Sequence, residues 1–122
     1  IDALDNFESR LLLNKFAVSH KIPLFHGAVW GLEGRATTVL PGKTICLNCI
    51  YKEVPPKEIF PVAGVTPAVI GSIQATEVLK YLTGIGELLA NRLLIYDGEL
   101  MEFSQITLHR DPNCLVCGKL TD

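Results

Sequence analysis

The sequence predicts one α/β domain over residues 1–122, and three observations support this class. Apolar residues recur at helical spacing in two stretches, over about 6–20 and from Thr66 onward. Four short runs rich in β-branched and aromatic residues flank two tight turns, which is typical of hairpins. The chain has 122 residues, of which 48% are hydrophobic and 20% charged, so it can fold around a single core.

The first half of the chain predicts one helix and one hairpin. Asp5 and Glu8 have the spacing of a capping box before a run of apolar positions, so we expect a helix over about 6–20. The runs P-L-F-H-G-A-V-W and R-A-T-T-V-L then lie on either side of G-L-E-G and predict paired strands. Three prolines among the eleven residues of 51–61 exclude regular structure there and indicate an extended crossing segment.

The second half predicts a central helix and another hairpin. Pro67 at the first helical position and Gly84 just past the last turn mark the ends of the helix. Because most of its residues are apolar, we expect it to be buried on more than one face. The runs R-L-L-I-Y-D and M-E-F-S-Q-I-T-L-H on either side of D-G-E-L predict the second hairpin.

Charge and hydropathy exclude two classes of partner. A net charge of -2 leaves no basic surface of the kind that binds nucleic acid. No apolar run approaches the roughly eighteen residues that span a bilayer, and the opening I-D-A-L-D-N does not form a secretory signal. We therefore expect a cytoplasmic protein without membrane or nucleic-acid partners. The histidines His20, His26 and His109 are scattered, which is typical of packing or surface residues.

The four cysteines form two identical pairs, C-L-N-C and C-L-V-C. Two C-x-x-C pairs are the usual way to build a tetrahedral four-thiolate site, so the spacing predicts a structural zinc ion. Disulfides, redox chemistry and an iron centre are the alternatives, and a signal-free chain rich in core residues favours a reducing compartment over disulfides. The predicted ligands are Cys46, Cys49, Cys114 and Cys117.

Several motifs, taken in order, point to a known family. They are D-A-L-D-N-F-E-S-R, I-P-L-F-H-G-A-V-W-G-L-E-G-R-A-T-T-V, C-L-N-C-I-Y, I-G-S-I-Q-A-T-E, R-L-L-I-Y-D and D-P-N-C-L-V-C-G. Together they resemble the C-terminal half of the ThiF/MoeB/HesA family, adenylyltransferases that activate sulfur-carrier and ubiquitin-like proteins. The resemblance implies the C-terminal half of a Rossmann-like ubiquitin-activating-enzyme fold, with a mixed sheet, helices and a structural zinc site.

The resemblance also implies an activity and a set of site residues. In this family ATP adenylates the C-terminal glycine of a small β-grasp protein, in routes of the molybdopterin or thiamine type. Asp5 would be the catalytic carboxylate that holds magnesium near the ATP phosphates, and Asn6 and Arg10 would be further cofactor-binding residues supported by Asp2. From the residues alone Asp5 reads as a helix cap, a role compatible with metal binding. A β-grasp carrier and a second copy of the chain are the implied partners.

Two departures from the family pattern limit these expectations. The chain contains no G-x-G-x-x-G loop, and G-I-G-E at Gly84 ends a helix where a phosphate loop would begin one. We therefore expect a chain that is part of a longer polypeptide, binds Mg-ATP only together with a missing N-terminal half, and is inactive alone. Phe60 and Pro61 stand where many members carry a cysteine. The alternative is a non-catalytic, zinc-stabilised domain that binds β-grasp proteins.

Overall fold

A computed structural model describes residues 1–54 and 59–120 of the chain. It contains three helices and four strands within these ranges, and both predicted hairpins and both predicted long helices are confirmed. In chain order the elements are α1 (Phe7–Ser19), β1 (Leu24–Trp30), β2 (Glu33–Val39), α2 (Leu47–Ile50), α3 (Val65–Thr83), β3 (Arg92–Asp97) and β4 (Glu102–Thr107).

The strands form one sheet in the order β1-β2-β3-β4. Each neighbouring pair is antiparallel, with Trp30 opposite Glu33 at the turn of the first hairpin and Asp97 opposite Glu102 at the turn of the second. Within the described residues, parallel pairing occurs at two isolated bridges, Gly31 with Val62 and Thr38 with Ala90. The α/β class is therefore confirmed, and the four described strands form an antiparallel sheet to which the two isolated bridges add parallel pairing.

Helix α3 lies across β1 and β2 and contacts them at two glycines. A Cβ atom on Gly27 would lie 2.5 Å from Cδ of Gln74, and one on Gly34 would lie 2.5 Å from Cδ1 of Ile70. Carbon atoms normally stay about 3.5–4.0 Å apart. The absence of a side chain at both positions therefore lets the helix sit directly on the strands.

The burial of α3 differs from the expectation. Only one stripe of the helix is buried, and it is largely polar: Thr66, Ile70, Gln74 and Glu77. Leu79 and Leu82 are 63% and 73% exposed. The physical reason is that the sheet covers one side of α3 and offers it polar partners, so Glu77 accepts a hydrogen bond from Thr38 at 3.1 Å.

The ends of the long helices also refine the sequence-based boundaries. Helix α3 begins at Val65, so Pro67 is its third residue, where the missing N–H still has no intrahelical partner to lose. Gly84 follows the last turn with a φ of 73°, as predicted. The cap of α1 is Asn6, whose side chain accepts a hydrogen bond from the amide of Ser9 at 2.8 Å, so the capping role expected for Asp5 is wrong.

The hydrophobic core cluster lies where α1 and the first hairpin meet the two cysteine pairs. Its buried residues are Ala17, Val18, Leu24, Val39, Ile45, Cys46, Leu47, Cys114 and Cys117. The crossing segment expected over 51–61 has neither helix nor strand in its described parts, and residues 55–58 lie outside them. In the described part of the chain, no helix is both long and apolar enough to span a membrane.

Candidate functional site

A cavity of about 600 Å³ lies between the N-terminus of α1 and the first hairpin. The crossing segment closes part of it with Phe60. Its lining includes both charged and aromatic side chains, so it can take a ligand with both polar and planar parts. The lining residues are Asp5, Asn6, Phe7, Glu8, Arg10, Ala28, Val29, Trp30, Glu33, Arg35, Tyr51, Val54 and Phe60.

The structure brings Asp5, Asn6 and Arg10 together on one wall of this cavity. Because Asn6 caps the helix, the exposed Asp5 carboxylate is not used by the helix backbone, and its Oδ1 accepts a hydrogen bond from the Asn6 amide at 3.0 Å. Arg10 is buried and donates to the Leu4 carbonyl at 2.6 Å. These contacts fix the wall and leave the Asp5 carboxylate exposed on it.

Behind this wall runs a chain of buried polar groups that joins three segments. Asp2 Oδ2 lies 2.6 Å from Nδ1 of His26, and the other ring nitrogen of His26 lies 3.2 Å from the Tyr51 hydroxyl. Arg10 Nε is 3.4 Å from the same Asp2 oxygen. Asp2 and His26 are buried, whereas Tyr51 is half-buried and lines the cavity. This polar chain of Asp2, His26 and Tyr51 therefore connects the interior of the protein to the cavity wall.

The environment of Asp2 favours its charged form. Burial by itself raises the pKa of this carboxyl, but the hydrogen bond with His26, the Leu4 amide and the Arg10 guanidinium outweigh burial and hold the pKa below its ordinary value. Burial raises the pKa of the Tyr51 phenol, so this side chain keeps its proton. An ionised acceptor thus stands at the inner end of the chain and a protonated phenol at the outer end.

The opposite wall is formed by the first hairpin. Arg35 and Glu33 form an exposed ion pair, with Nη2 of Arg35 3.1 Å from Oε1 of Glu33. Trp30, the single tryptophan of the chain, is 60% exposed beside them. Sequence reasoning placed this stretch in a strand but missed its part in the site. The alternation of the strand alone does not tell which face lies over a cavity.

The histidines divide into two kinds. His20 and His109 are exposed and lie outside the cavity lining. His26 is fully buried within the polar chain, so it is a packed interior residue that also hydrogen-bonds to Tyr51. No local motif marks this role, because the partners of His26 are 24 and 25 residues away in sequence.

The four cysteines meet at the hydrophobic core cluster. Sγ of Cys46 is 3.8 Å from Sγ of Cys114, and Sγ of Cys49 is 3.4 Å from Sγ of Cys117. All four are free thiols, and the four sulfur atoms lie within 4.8 Å of one another. A tetrahedron with zinc–sulfur bonds of about 2.3 Å has edges of about 3.8 Å. The cluster therefore has the donor set and the size of a four-thiolate metal site.

Backbone turns and one arginine hold the two cysteine pairs together. The amide of Cys49 donates to the Cys46 carbonyl at 3.0 Å, and the amide of Gly118 donates to the Cys114 carbonyl at 2.9 Å. Arg110 donates to the carbonyls of Gly42 and Cys117, so it links the loop before the first pair to the second pair. The cluster is thus assembled by contacts of the protein itself.

Asn14 ties the first cysteine pair to α1. Its side chain is fully buried, accepts a hydrogen bond from the Leu47 amide at 3.0 Å and donates to Asn48 at 2.9 Å. Helix α2 begins after Cys46 and ends at Ile50, and the amide of the next residue, Tyr51, donates to the Leu47 carbonyl at 2.8 Å. Helix α1 therefore contributes to both the cysteine cluster and the cavity, and Tyr51 of the cavity lining directly follows α2.

The thiols differ in their proton affinity. Burial raises the pKa of Cys46 and of Cys117. Burial also acts on Cys114, but the backbone amides of Cys117 and Val116 outweigh it and lower the pKa of that thiol. Amide hydrogen bonds to sulfur stabilise a thiolate, which is the form that binds a metal ion.

Comparison with curated proteins gives relatives along nearly the whole chain. The SAMP-activating enzyme E1 of Haloferax volcanii is 42% identical over an alignment of 125 positions, which covers 98% of this chain and 46% of that protein. The sulfur carrier protein adenylyltransferase of Thermus thermophilus is 40% identical over 129 residues, covering 97% of this chain and 48% of that protein. The adenylyltransferase and sulfurtransferase MOCS3 of Drosophila ananassae is 37% identical, and the match covers 97% of this chain and 28% of that protein. The chain thus spans about half the length of its first relatives, or less.

Solved structures agree on the fold. E. coli MccB crystallised with AMPCPP and MccA superposes with a TM-score of 0.79 at 22% identity, covering 97% of this chain and 38% of MccB. E. coli MccB with ATP gives a TM-score of 0.78 at 19% identity, with 93% of this chain and 37% of MccB covered. The ThiF family profile matches residues 1–116. Because this match covers nearly the whole sequence, the chain belongs to the ThiF family.

Proposed function

We propose that this chain is part of an ATP-dependent adenylyltransferase that activates the C-terminal glycine of a sulfur-carrier or ubiquitin-like protein. Relatives named as adenylyltransferases match 97% of the chain, which supports the class of reaction. The observation that carries the proposal is the cavity wall on which Asp5, Asn6 and Arg10, the three residues implied by the family motif, stand together. The cavity is large enough to hold an extended tail or part of a nucleotide.

The reaction needs charge to be stabilised around a phosphate. A carboxylate oxygen of the terminal glycine attacks the α-phosphorus of ATP, the bond to the bridging oxygen breaks, and acyl-adenylate and pyrophosphate form. Magnesium, when bound with ATP, would neutralise the phosphate oxygens, and Asp5 is the carboxylate that we expect to hold it. Asn6 fixes the start of α1 beneath Asp5, and Arg10 is held at the base of the wall by Leu4.

We propose a structural role for zinc at the cysteine cluster. Four thiols with sulfur separations of 3.4 and 3.8 Å suit zinc, and four protein ligands leave no coordination position for a substrate. The ion would fasten the loop after the first hairpin to the C-terminal turn. The reduced thiols of such a site fit the cytoplasm, which is the location we propose.

In the proposed enzyme, this chain supplies the carrier-binding surface, the Asp5 carboxylate and the surface of a homodimer. The glycine loop that cradles ATP phosphates is not among its motifs. Adenylation is therefore proposed for the intact gene product in which such a loop accompanies this chain. The second candidate is a non-catalytic domain that binds β-grasp proteins, favoured by the same lack of a glycine loop.

ATP–pyrophosphate exchange by the intact gene product, with a glycine-ended β-grasp carrier, tests the proposal. We expect carrier-dependent exchange, and we expect Asp5→Asn to reduce it by roughly 100-fold, the scale on which charge stabilisation at a reacting phosphate acts. Glu87→Gln is the matched control, since it makes the same carboxylate-to-amide change at an exposed position outside the cavity lining. Carrier binding without exchange would select the second candidate. Equal exchange by the two variants would remove Asp5 from the mechanism.

Metal analysis tests the cluster separately. We expect about one zinc per chain in protein purified without chelator, and loss of that zinc in Cys114→Ser. Leu115→Ser serves as the control, because Leu115 lies between Cys114 and Cys117 but is fully exposed, at 102%. Metal-free wild-type protein with an unchanged melting temperature would contradict the structural role.

A further inference from the structure

The polar chain from Asp2 through His26 to Tyr51 has no part in the proposed reaction so far. It is built from residues of three different segments, and its two inner members are buried. A buried carboxylate such as that of Asp2 is costly unless it is paired and hydrogen-bonded. Its outer member, Tyr51, lines the cavity. The arrangement therefore raises the question of what the tyrosine hydroxyl presents to a ligand.

The direction of each hydrogen bond follows from the chemistry of its partners. The Asp2 carboxylate is ionised and accepts the Leu4 amide at 3.1 Å on one oxygen, so its other oxygen can only accept from Nδ1–H of His26. Arg10 lies 3.4 Å from the same Asp2 oxygen and already supplies a positive charge, so a single ring proton on Nδ1 satisfies Asp2 and leaves a lone pair on the other ring nitrogen, Nε2. In this tautomer the Tyr51 hydroxyl donates its proton to Nε2 across 3.2 Å.

A Tyr51 hydroxyl that donates its proton to His26 has no second proton to donate to a ligand in the cavity. Its oxygen keeps lone pairs, and it is the half-buried end of a chain whose other members are closed off from solvent. The orientation of the Tyr51 ring is restricted by two contacts. Phe7 packs edge-on against the ring with centroids 4.7 Å apart, and the backbone amide of Tyr51 donates to the Leu47 carbonyl. The oxygen is therefore a fixed hydrogen-bond acceptor.

We propose that Tyr51 is a specificity-determining residue of the cavity, whose phenol oxygen accepts a hydrogen bond from an N–H or O–H group of the bound ligand, and that Asp2 and His26 are its positioning residues. This inference rests on the proposed function, which supplies two sources of such a donor. One is a backbone amide of the glycine-ended carrier tail, and the other is a hydroxyl or amino group of the nucleotide. Loss of the acceptor leaves a ligand donor without a partner.

Binding to the intact gene product, followed by the fluorescence of Trp30 in the cavity wall, separates these sources. Tyr51→Phe keeps the ring and removes only the oxygen. We expect it to weaken binding of one ligand, the carrier or a non-hydrolysable ATP analogue, by about three- to tenfold and to leave the other within twofold. Weaker carrier binding identifies the tail as the donor, and weaker analogue binding identifies the nucleotide.

Tyr81→Phe is the matched control, because it removes a hydroxyl from a tyrosine on α3 outside the cavity lining. Unchanged affinities in Tyr51→Phe, or equal losses for both ligands or in the control, would overturn the inference. Nitrogen-15 NMR of the wild-type His26 ring gives an independent readout, since the inference requires the proton on Nδ1 and an unprotonated Nε2. A proton on Nε2 would refute the relay even if ligands bind. Wild-type protein that binds neither ligand would refute the proposed function itself.

Discussion

Replacing Gly34 by alanine is expected to destabilise the protein, because it inserts a methyl group where α3 touches β2. The added carbon would lie 2.5 Å from Cδ1 of Ile70 and closer still to Cγ1. Ordinary carbon contacts are about 3.5–4.0 Å, so either Ile70 must leave its rotamer or the helix must retreat by roughly 1 Å. Both responses disturb a buried stripe that also contains the hydrogen bonds of Gln74 and Glu77.

The size of the effect follows from two opposing contributions. Overpacking of a core costs about 1–3 kcal/mol, and exchanging glycine for alanine returns about 0.4–1 kcal/mol by restricting the unfolded chain. The difference between these ranges is a net loss of at most about 2.6 kcal/mol, with a midpoint of about 1.3 kcal/mol. For a domain of 122 residues the unfolding entropy is about 0.26 kcal/mol per kelvin, so the melting temperature should fall by roughly 5 °C.

Thermal denaturation followed by circular dichroism measures this shift, and Gly71 offers a control of opposite sign. Gly71 lies within the same helix, and a Cβ atom added to it would meet no neighbouring atom within 4 Å, so Gly71→Ala should raise the melting temperature by roughly 2–4 °C through helix propensity. In a double-mutant cycle, Ile70→Ala should cost at least about 1 kcal/mol less in the Gly34→Ala background than in the wild type. Strict additivity, or a stabilised Gly34→Ala protein, would refute the close approach.

Three further outcomes follow from the polar chain and the cysteine cluster. Asn14→Ala should lower the free energy of unfolding by about 1–3 kcal/mol and speed the loss of zinc to a chelator, because the buried Leu47 amide loses its hydrogen-bond acceptor. Equal rates of zinc loss in wild type and variant would contradict this link. The pKa of Asp2 is lowered on folding, so the stabilisation from its carboxylate is present above the ordinary pKa of 3.8 and is lost as the pH falls towards the folded value. The free energy of unfolding measured with urea should therefore fall less steeply with decreasing pH in Asp2→Asn than in the wild type. Identical pH dependence in the two proteins would exclude the ion pair. Chelation should lower the melting temperature, zinc should restore it, and restoration by magnesium would argue against thiolate ligands.

The hairpins and α1 were predictable because their signals are local. Strand-forming runs on either side of a tight turn, and apolar positions one helical turn apart, need no knowledge of the rest of the chain. The buried face of α3 was not predictable in this way. Glu77 is bonded to a hydroxyl of Thr38 that is 39 residues away, and Gln74 to the Phe25 carbonyl that is 49 residues away. Composition predicted apolar burial, but the sheet supplies polar partners.

The candidate site shows the same division. Asp5, Asn6 and Arg10 were found because one short motif contains all three, and the cysteines because each pair is a recognisable spacing. The capping role of Asp5 was assigned one residue too early, since asparagine and aspartate are nearly equal as helix caps. Tyr51 and His26 were missed because their roles depend on contacts that no spacing records.

The single turn of α2 joins two functions that are usually considered apart. It starts directly after Cys46 and ends directly before Tyr51 of the cavity wall, so only four residues separate the two. Loss of the proposed zinc ion, or oxidation of a thiol, would therefore also disturb the turn that orients Tyr51. Such a protein would stop recognising its ligand while most of the sheet was still intact, so oxidative stress or a metal shortage would register as a loss of recognition before any loss of fold.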